Sequence, residues 1–130
     1  MTTDPSQVVA SFIAAVEGLD VESAVALLAP DVTYDNVPVG PIIGRDAAKA
    51  TLASFLGVAE QVEWRVLRQV ADGRAVANER LDRFRFPGGW LELPVAGFFE
   101  VGEDGLISLW RDYFDLATYT RAMEALTPSD

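Results

Sequence analysis

At Gly57 the spacing of apolar residues changes from a period of 3.6 to a period of 2, which restricts the chain to folds in which helices come first and a sheet follows. Before the switch, Asp4, Pro5 and Gln7 supply an N-cap, a first-turn proline and a glutamine able to reach back. Val8, Val9, Phe12, Ile13 and Val16 then recur at helical spacing as far as Gly18. Asp20 caps a second short helix through Val21, Ala24, Val25 and Leu28, with Pro30 at its end. Val32 to Val37 alternates as a strand, Pro38 to Gly44 reads as a loop, and Asp46 caps a helix through Leu52, Phe55 and Leu56. After the switch, Val62, Trp64 and Val66 alternate with polar residues. Turn signals at Asp72-Gly73, Pro87-Gly88-Gly89 and Asp104-Gly105 divide the remainder into strands from Ala75 to Phe86, Trp90 to Val101 and Leu106 to Asp115. A last amphipathic helix, Ala117 to Leu126, carries Tyr119, Met123 and Leu126 and ends before Pro128. The pattern predicts an α+β fold: a curved antiparallel sheet with the N-terminal helices packed on its concave face.

The 130 residues are one domain's worth of chain, and residues 1–130 are expected to form a single unit. The net charge of −10, with Lys49 the only lysine, repels phosphate backbones and anionic lipid, so neither nucleic acid nor a membrane is expected as a partner. The longest uncharged run, Pro5 to Val16, falls well short of the roughly 20 residues a membrane span needs. A cytoplasmic protein is expected. There is no histidine and no cysteine, which excludes Ser-His-Asp and Cys-His nucleophilic systems, thiol redox chemistry and the usual N/S zinc sites. Acid-base chemistry is left to carboxylates, tyrosine, Lys49 or groups of the substrate. No phosphate-loop, dinucleotide or calcium-loop spacing occurs, and neither a cofactor nor a metal is expected.

The informative residues are polar ones on faces that must look inward. Between Ala75 and Phe86, period 2 puts Val76, Asn78, Arg80, Asp82, Phe84 and Phe86 on the bulkier, more apolar face, so Arg80 and Asp82 are expected inside, two residues apart. Burial of either charge alone is costly, and mutual pairing is almost required. Trp110, Asp112 and Phe114 likewise share a face, which sets a carboxylate between two large aromatics. Tyr34 and Asn36 share the inward face of their strand with Val32. Two aspartates, an arginine, a tyrosine and an asparagine in an apolar cavity suit the opening of a strained ring, or the rearrangement of a neutral substrate, with one carboxyl as acid and the other as base. Tyr34 and Asn36 have the complementary hydrogen-bonding groups to hold a water.

Three segments, Tyr34-Asp35-Asn36-Val37-Pro38 through Gly44-Arg45-Asp46-Ala47, Glu79-Arg80-Leu81-Asp82, and Trp110-Arg111-Asp112-Tyr113-Phe114-Asp115, together resemble the limonene-1,2-epoxide hydrolase family. That family shares a cone-shaped α+β fold with ketosteroid isomerase, scytalone dehydratase and polyketide cyclases. The resemblance implies a cone with one deep apolar pocket and a concerted, cofactor-free hydrolysis of an epoxide to a vicinal diol. It implies Asp82 as general acid, Asp112 as general base, Arg80 as the bridge between them, and Tyr34 and Asn36 as the holders of the water. Phe55, Leu56, Phe84, Trp110 and Phe114 are expected in the pocket wall, with Val95 and Phe98 or Phe99 beside them. The lining favours a hydrophobic cyclic or aryl epoxide. Family members are commonly homodimers, and the outer sheet face with Tyr113 is the expected interface. Two alternatives stay open: an isomerase or cyclase of a polyketide or steroid-like substrate on the same fold, and a small-molecule binding module without turnover.

Overall fold

The computed structural model describes residues 2–126, so Pro128, expected to end the last helix, lies outside the described residues. Helix α1 (Pro5–Glu17) begins where Asp4 accepts a hydrogen bond from the Gln7 amide at 3.1 Å, and it ends at Gly18. Its buried stripe is Val8, Val9, Phe12, Ile13 and Val16, the set that the 3.6 spacing predicts. Helix α2 (Val21–Val25) is capped by Asp20, whose carboxylate accepts from the Ser23 amide.

The chain is already extended at Leu28, so strand β1 (Leu28–Asn36) starts before Pro30 rather than after it. Pro30 offers no N–H, and the pairing of β1 with its neighbour shifts register between Leu28 and Thr33, where the proline sits. The expected loop after β1 contains a short strand, β2 (Gly40–Ile43), that folds back against it. Helix α3 (Arg45–Leu56) follows Gly44, which takes φ 98° at the N-cap and donates its N–H to Val32. Asp46 is therefore not the cap. It lies in the first turn of α3, where its charge complements the helix dipole.

Strands β3 (Gln61–Asp72), β4 (Ala75–Phe86), β5 (Gly89–Val101) and β6 (Ile107–Tyr113) form the expected antiparallel meander. The alternation of β3 fails after Trp64: a bulge between Val66 and Arg68 breaks its register, and Val66 is exposed at the sheet edge. Strand β6 is shorter than expected, because Asp115 leaves it to accept from the Thr118 amide and start helix α4 (Leu116–Leu126). The order across the six-stranded sheet is β2-β1-β6-β5-β4-β3.

One pair departs from the antiparallel expectation. Strand β1 lies parallel to β6, with Tyr34 beside Trp110 and Asn36 beside Asp112. Parallel neighbours require a long crossover, and the chain from α3 through β5 supplies it. The core lies between α1 and the sheet, where the Phe12 ring meets Trp64, Phe99 and Trp110 edge-on at centroid distances of 6.4, 6.4 and 4.9 Å. Phe12 has no exposed surface, so Phe12→Ala is expected to lower unfolding free energy by about 3–5 kcal/mol, as read by urea denaturation.

Candidate active site

Arg80 is the centre of the site. It projects from β4 toward α1, and its side chain has no exposed surface. Its Nε donates to Asp82 Oδ1 at 2.9 Å and its Nη2 to Asp82 Oδ2 at 3.1 Å, a two-pronged contact between residues on the same face of one strand. The same Nη2 lies 3.1 Å from Asp112 Oδ1 on β6. Nη1 donates to Asn78 Oδ1 at 2.9 Å, and the Trp64 ring covers the guanidinium at 4.7 Å. Trp110 donates its indole N–H to Asp112 Oδ2 at 3.1 Å and stacks on Tyr34 with centroids 3.8 Å apart.

Burial pushes the Asp82 carboxyl up to about 6, against the opposing pull of Arg80, and the negative charges of Asp112 and Glu17 add to the rise. Burial raises Asp112 as well, with Arg80 and the Trp110 N–H opposing. Arg80 stays charged: burial works against it, and the two aspartates outweigh burial. Tyr34 is held neutral by burial and by the nearby Asp112 charge. One cation between two buried carboxyls compensates one negative charge, so the pair favours a state holding a proton.

Tyr34, Asn36, Asp82 and Asp112 line one end of a cavity of about 270 Å³. The rest of its wall is largely apolar, from Phe84 and Phe86 on β4, Leu91 and Leu93 on β5, Phe55 on α3, and Tyr119 on α4. The turn Pro87–Gly88 closes against α4 so tightly that a Cβ on Gly88 would strike the Leu126 carbonyl. Among the described residues no group of three or more Asp or Glu side chains is placed to hold a metal ion, and no helix is long and apolar enough to cross a membrane.

The limonene-1,2-epoxide hydrolase catalytic domain matches residues 3–124. The chain belongs to the limonene-1,2-epoxide hydrolase family. Among its epoxide hydrolase relatives, EphG of Mycobacterium tuberculosis is 37% identical over 108 residues, 83% of this chain and 71% of that protein. A solved LEH-like epoxide hydrolase from M. tuberculosis superposes with a TM-score of 0.83 at 33% identity, covering 96% of this chain and 93% of that one. A SnoaL-like polyketide cyclase structure from Shewanella denitrificans reaches a TM-score of 0.84 at 14% identity, over 93% and 97% of the two chains, and shows the shared fold. The α+β cone with its curved sheet is thus the fold of this hydrolase.

Within this epoxide hydrolase family member, Tyr34, Asn36, Asp82 and Asp112 converge from β1, β4 and β6 on one end of the cavity, and Arg80, which does not itself line it, bridges the two aspartates. Phe55, Phe84, Phe114 and Val95 stand in its wall. Leu56 and Trp110 do not. Leu56 faces the core from the far side of α3, one residue and about 100° around the helix from Phe55. Trp110 is enclosed between Tyr34 and Phe12, and it supports the site from behind by stacking on Tyr34 and donating its N–H to Asp112. Phe99 is core, and Phe98 points to the outer face against Tyr113.

Besides the wall residues Phe86, Leu91, Leu93 and Tyr119, three residues around Arg80 that the sequence reading did not single out belong to the site. Trp64 lines the cavity and covers Arg80, and Asn78 accepts from Arg80. Gly97 on β5 pairs with Asn78 on one side and Asp112 on the other, and a Cβ there would strike Arg80 Nη1. A glycine inside a strand is itself a signal of close approach. Gly97→Ala is expected to displace Arg80 and lower kcat by about 10²-fold or more, since misplacing a reacting group by about 1 Å costs that much. Steady-state kinetics beside a denaturation curve separates this from simple unfolding.

The raised Asp82 also has a stability signature. Its contribution is fully present below about pH 4, where the carboxyl is protonated folded and unfolded, and is lost as pH rises through about 6. Asp82→Asn mimics the protonated form, so the variant is expected to gain on the wild type by on the order of 2 kcal/mol between pH 4 and pH 7 in denaturation curves.

Proposed function

We propose that this protein adds water to a small hydrophobic epoxide, cyclic or aryl-substituted, and releases a vicinal diol. The observation that carries the reading is one buried guanidinium bridging two inward carboxyls at the polar end of an otherwise apolar cavity. The strand order supports a division of labour between the carboxyls. Asp112 on β6 is the neighbour of Asn36 on β1, so the water belongs between Tyr34, Asn36 and Asp112. Asp82 is two strands away, next to Phe84 and the apolar wall, where the body of the epoxide fits.

Asp82 gives its proton to the epoxide oxygen as a carbon–oxygen bond of the ring breaks. Water attacks that carbon, and Asp112 takes the proton that the water loses. Atoms balance: one water enters, a diol leaves, and one proton has crossed from Asp82 to Asp112. Arg80 stands between them and receives the new Asp82 carboxylate with two donors. Asp112 Oδ1 is sealed against Arg80, which leaves Oδ2 as the oxygen that meets the water. The apolar wall keeps both carboxyls partly desolvated, which is what holds a proton available for donation near neutral pH.

Incubation with a panel of cyclic and aryl epoxides in oxygen-18 water tests this directly. Under single turnover, wild type is expected to put the label into the diol, and Asp112→Asn to remain folded while losing about 10²- to 10⁴-fold in rate. No diol from any epoxide with folded protein overturns the reading. Uptake of solvent deuterium at carbon, without oxygen incorporation, would favour isomerisation or cyclisation in the same cavity.

A further inference from the structure

We propose that Asn78 is a positioning residue: its carboxamide, held in one orientation by Gln69, fixes the Arg80 guanidinium so that one edge faces Asp82 while Nη2 reaches Asp112. The consequence for catalysis rests on the epoxide hydrolase reading above, whereas the geometric claim does not.

A guanidinium presents five N–H donors in one plane and accepts nothing. Arg80 spends Nε and Nη2 on the aspartates, and the Trp64 ring covers the plane without fixing rotation within it. On the remaining edge Nη1 meets Asn78 Oδ1 at 2.9 Å. This contact sets how far the plane turns, and therefore whether a nitrogen already bound to Asp82 also stands within reach of Asp112.

An asparagine does this only if its oxygen, not its nitrogen, faces the arginine. Here the sense of every amide is forced from both ends. The Ser6 carbonyl on α1 can only accept, so the Gln69 side-chain nitrogen donates to it at 3.3 Å. That turns Gln69 Oε1 toward Asn78, whose Nδ2 donates to it at 3.1 Å. Asn78 Oδ1 is then presented to Arg80, which can only donate. A chain of three hydrogen bonds thus ties the guanidinium to the backbone of α1, with no link able to flip without losing a bond. Gly97 leaves open the space where Arg80 and Asn78 meet.

Charge explains why an amide stands at 78. The titratable or charged groups acting on the cluster are Asp82 and Arg80 on β4, Asp112 on β6, Tyr34 on β1 and Glu17 on α1, with Arg80 the cation among them. Asn78 accepts from Arg80 without adding a negative charge, so the whole cation is left to the two aspartates. An aspartate at 78 would put a third carboxyl on one guanidinium and raise the pH at which the pair titrates.

The test uses Asn78→Asp and Gln69→Ala, the latter at a half-buried position where folding is expected to survive. In protein carrying carbon-13 aspartate carboxyls, NMR titration follows Asp82 and Asp112 without any turnover. Asn78→Asp is expected to move that titration upward by about 1 in pH. The alkaline limb of the kcat/KM profile is expected to move with it. Gln69→Ala is expected to lower kcat by about 10-fold with little change in KM, since it frees Asn78 to turn. Gln69→Ala adds no charge, so a displaced carboxyl titration in that variant reports the turned guanidinium alone. A purely structural Asn78 predicts for Gln69→Ala a lower denaturation midpoint with the carboxyl titration and kcat unmoved, and that result overturns the proposal. If wild type turns over no epoxide, the epoxide reading fails, and the carboxyl titration of Gln69→Ala against wild type still decides the positioning role.

Discussion

A guanidinium without solvent must be enclosed by acceptors, and the rest of this structure answers that requirement. Arg80 meets two carboxyls, one amide oxygen and one indole ring, contributed by β4, β6 and β3. Removing Arg80 would leave two buried carboxyls without their cation, a defect worth roughly 3–5 kcal/mol. The cluster is also net negative when both carboxyls are ionised, which is why burial holds a proton there at pH values where a surface aspartate has none. The interaction that secures the fold at its centre is the same one on which the proposed acid and base depend.

Sheet topology converts that cluster into a site. The antiparallel meander aligns Asn78, Gly97 and Asp112 in one row across β4, β5 and β6. Because the middle member lacks a side chain, the arginine reaches across β5 to the carboxyl on β6. The parallel addition of β1 then extends the row by one more strand, bringing Asn36 to Asp112 and Tyr34 to Trp110. Helices α3 and α4 close the apolar end with Phe55 and Tyr119. The carboxyls and the amide of the lining thereby come from the sheet, while part of the apolar lining comes from helices.

Much of this was legible in the residue order. Period 2 assigned Arg80 and Asp82 to the inner face of β4 because a strand has only two faces, and apolar Val76 and Phe84 mark which one is buried. The same logic held for Asp112 and for Tyr34. It failed for Leu56, since neighbours on a helix differ by about 100° and an apolar residue serves a core as well as a cavity. Trp110 misled for a related reason: this large aromatic beside Asp112 packs into the core behind it rather than in the cavity wall. Strand β2 escaped notice because four residues containing proline carry no readable alternation.

Local periodicity and the inventory of side chains were enough to set the helix-then-meander order, the inward polar residues and the exclusion of histidine and thiol chemistry. It took the folded chain to reveal that β1 runs parallel to β6, that Gly97 is the gap Arg80 crosses, and that Gln69 and Asn78 link the cluster to α1. Those facts concern residues far apart in the chain, and no local period encodes the register in which distant strands meet.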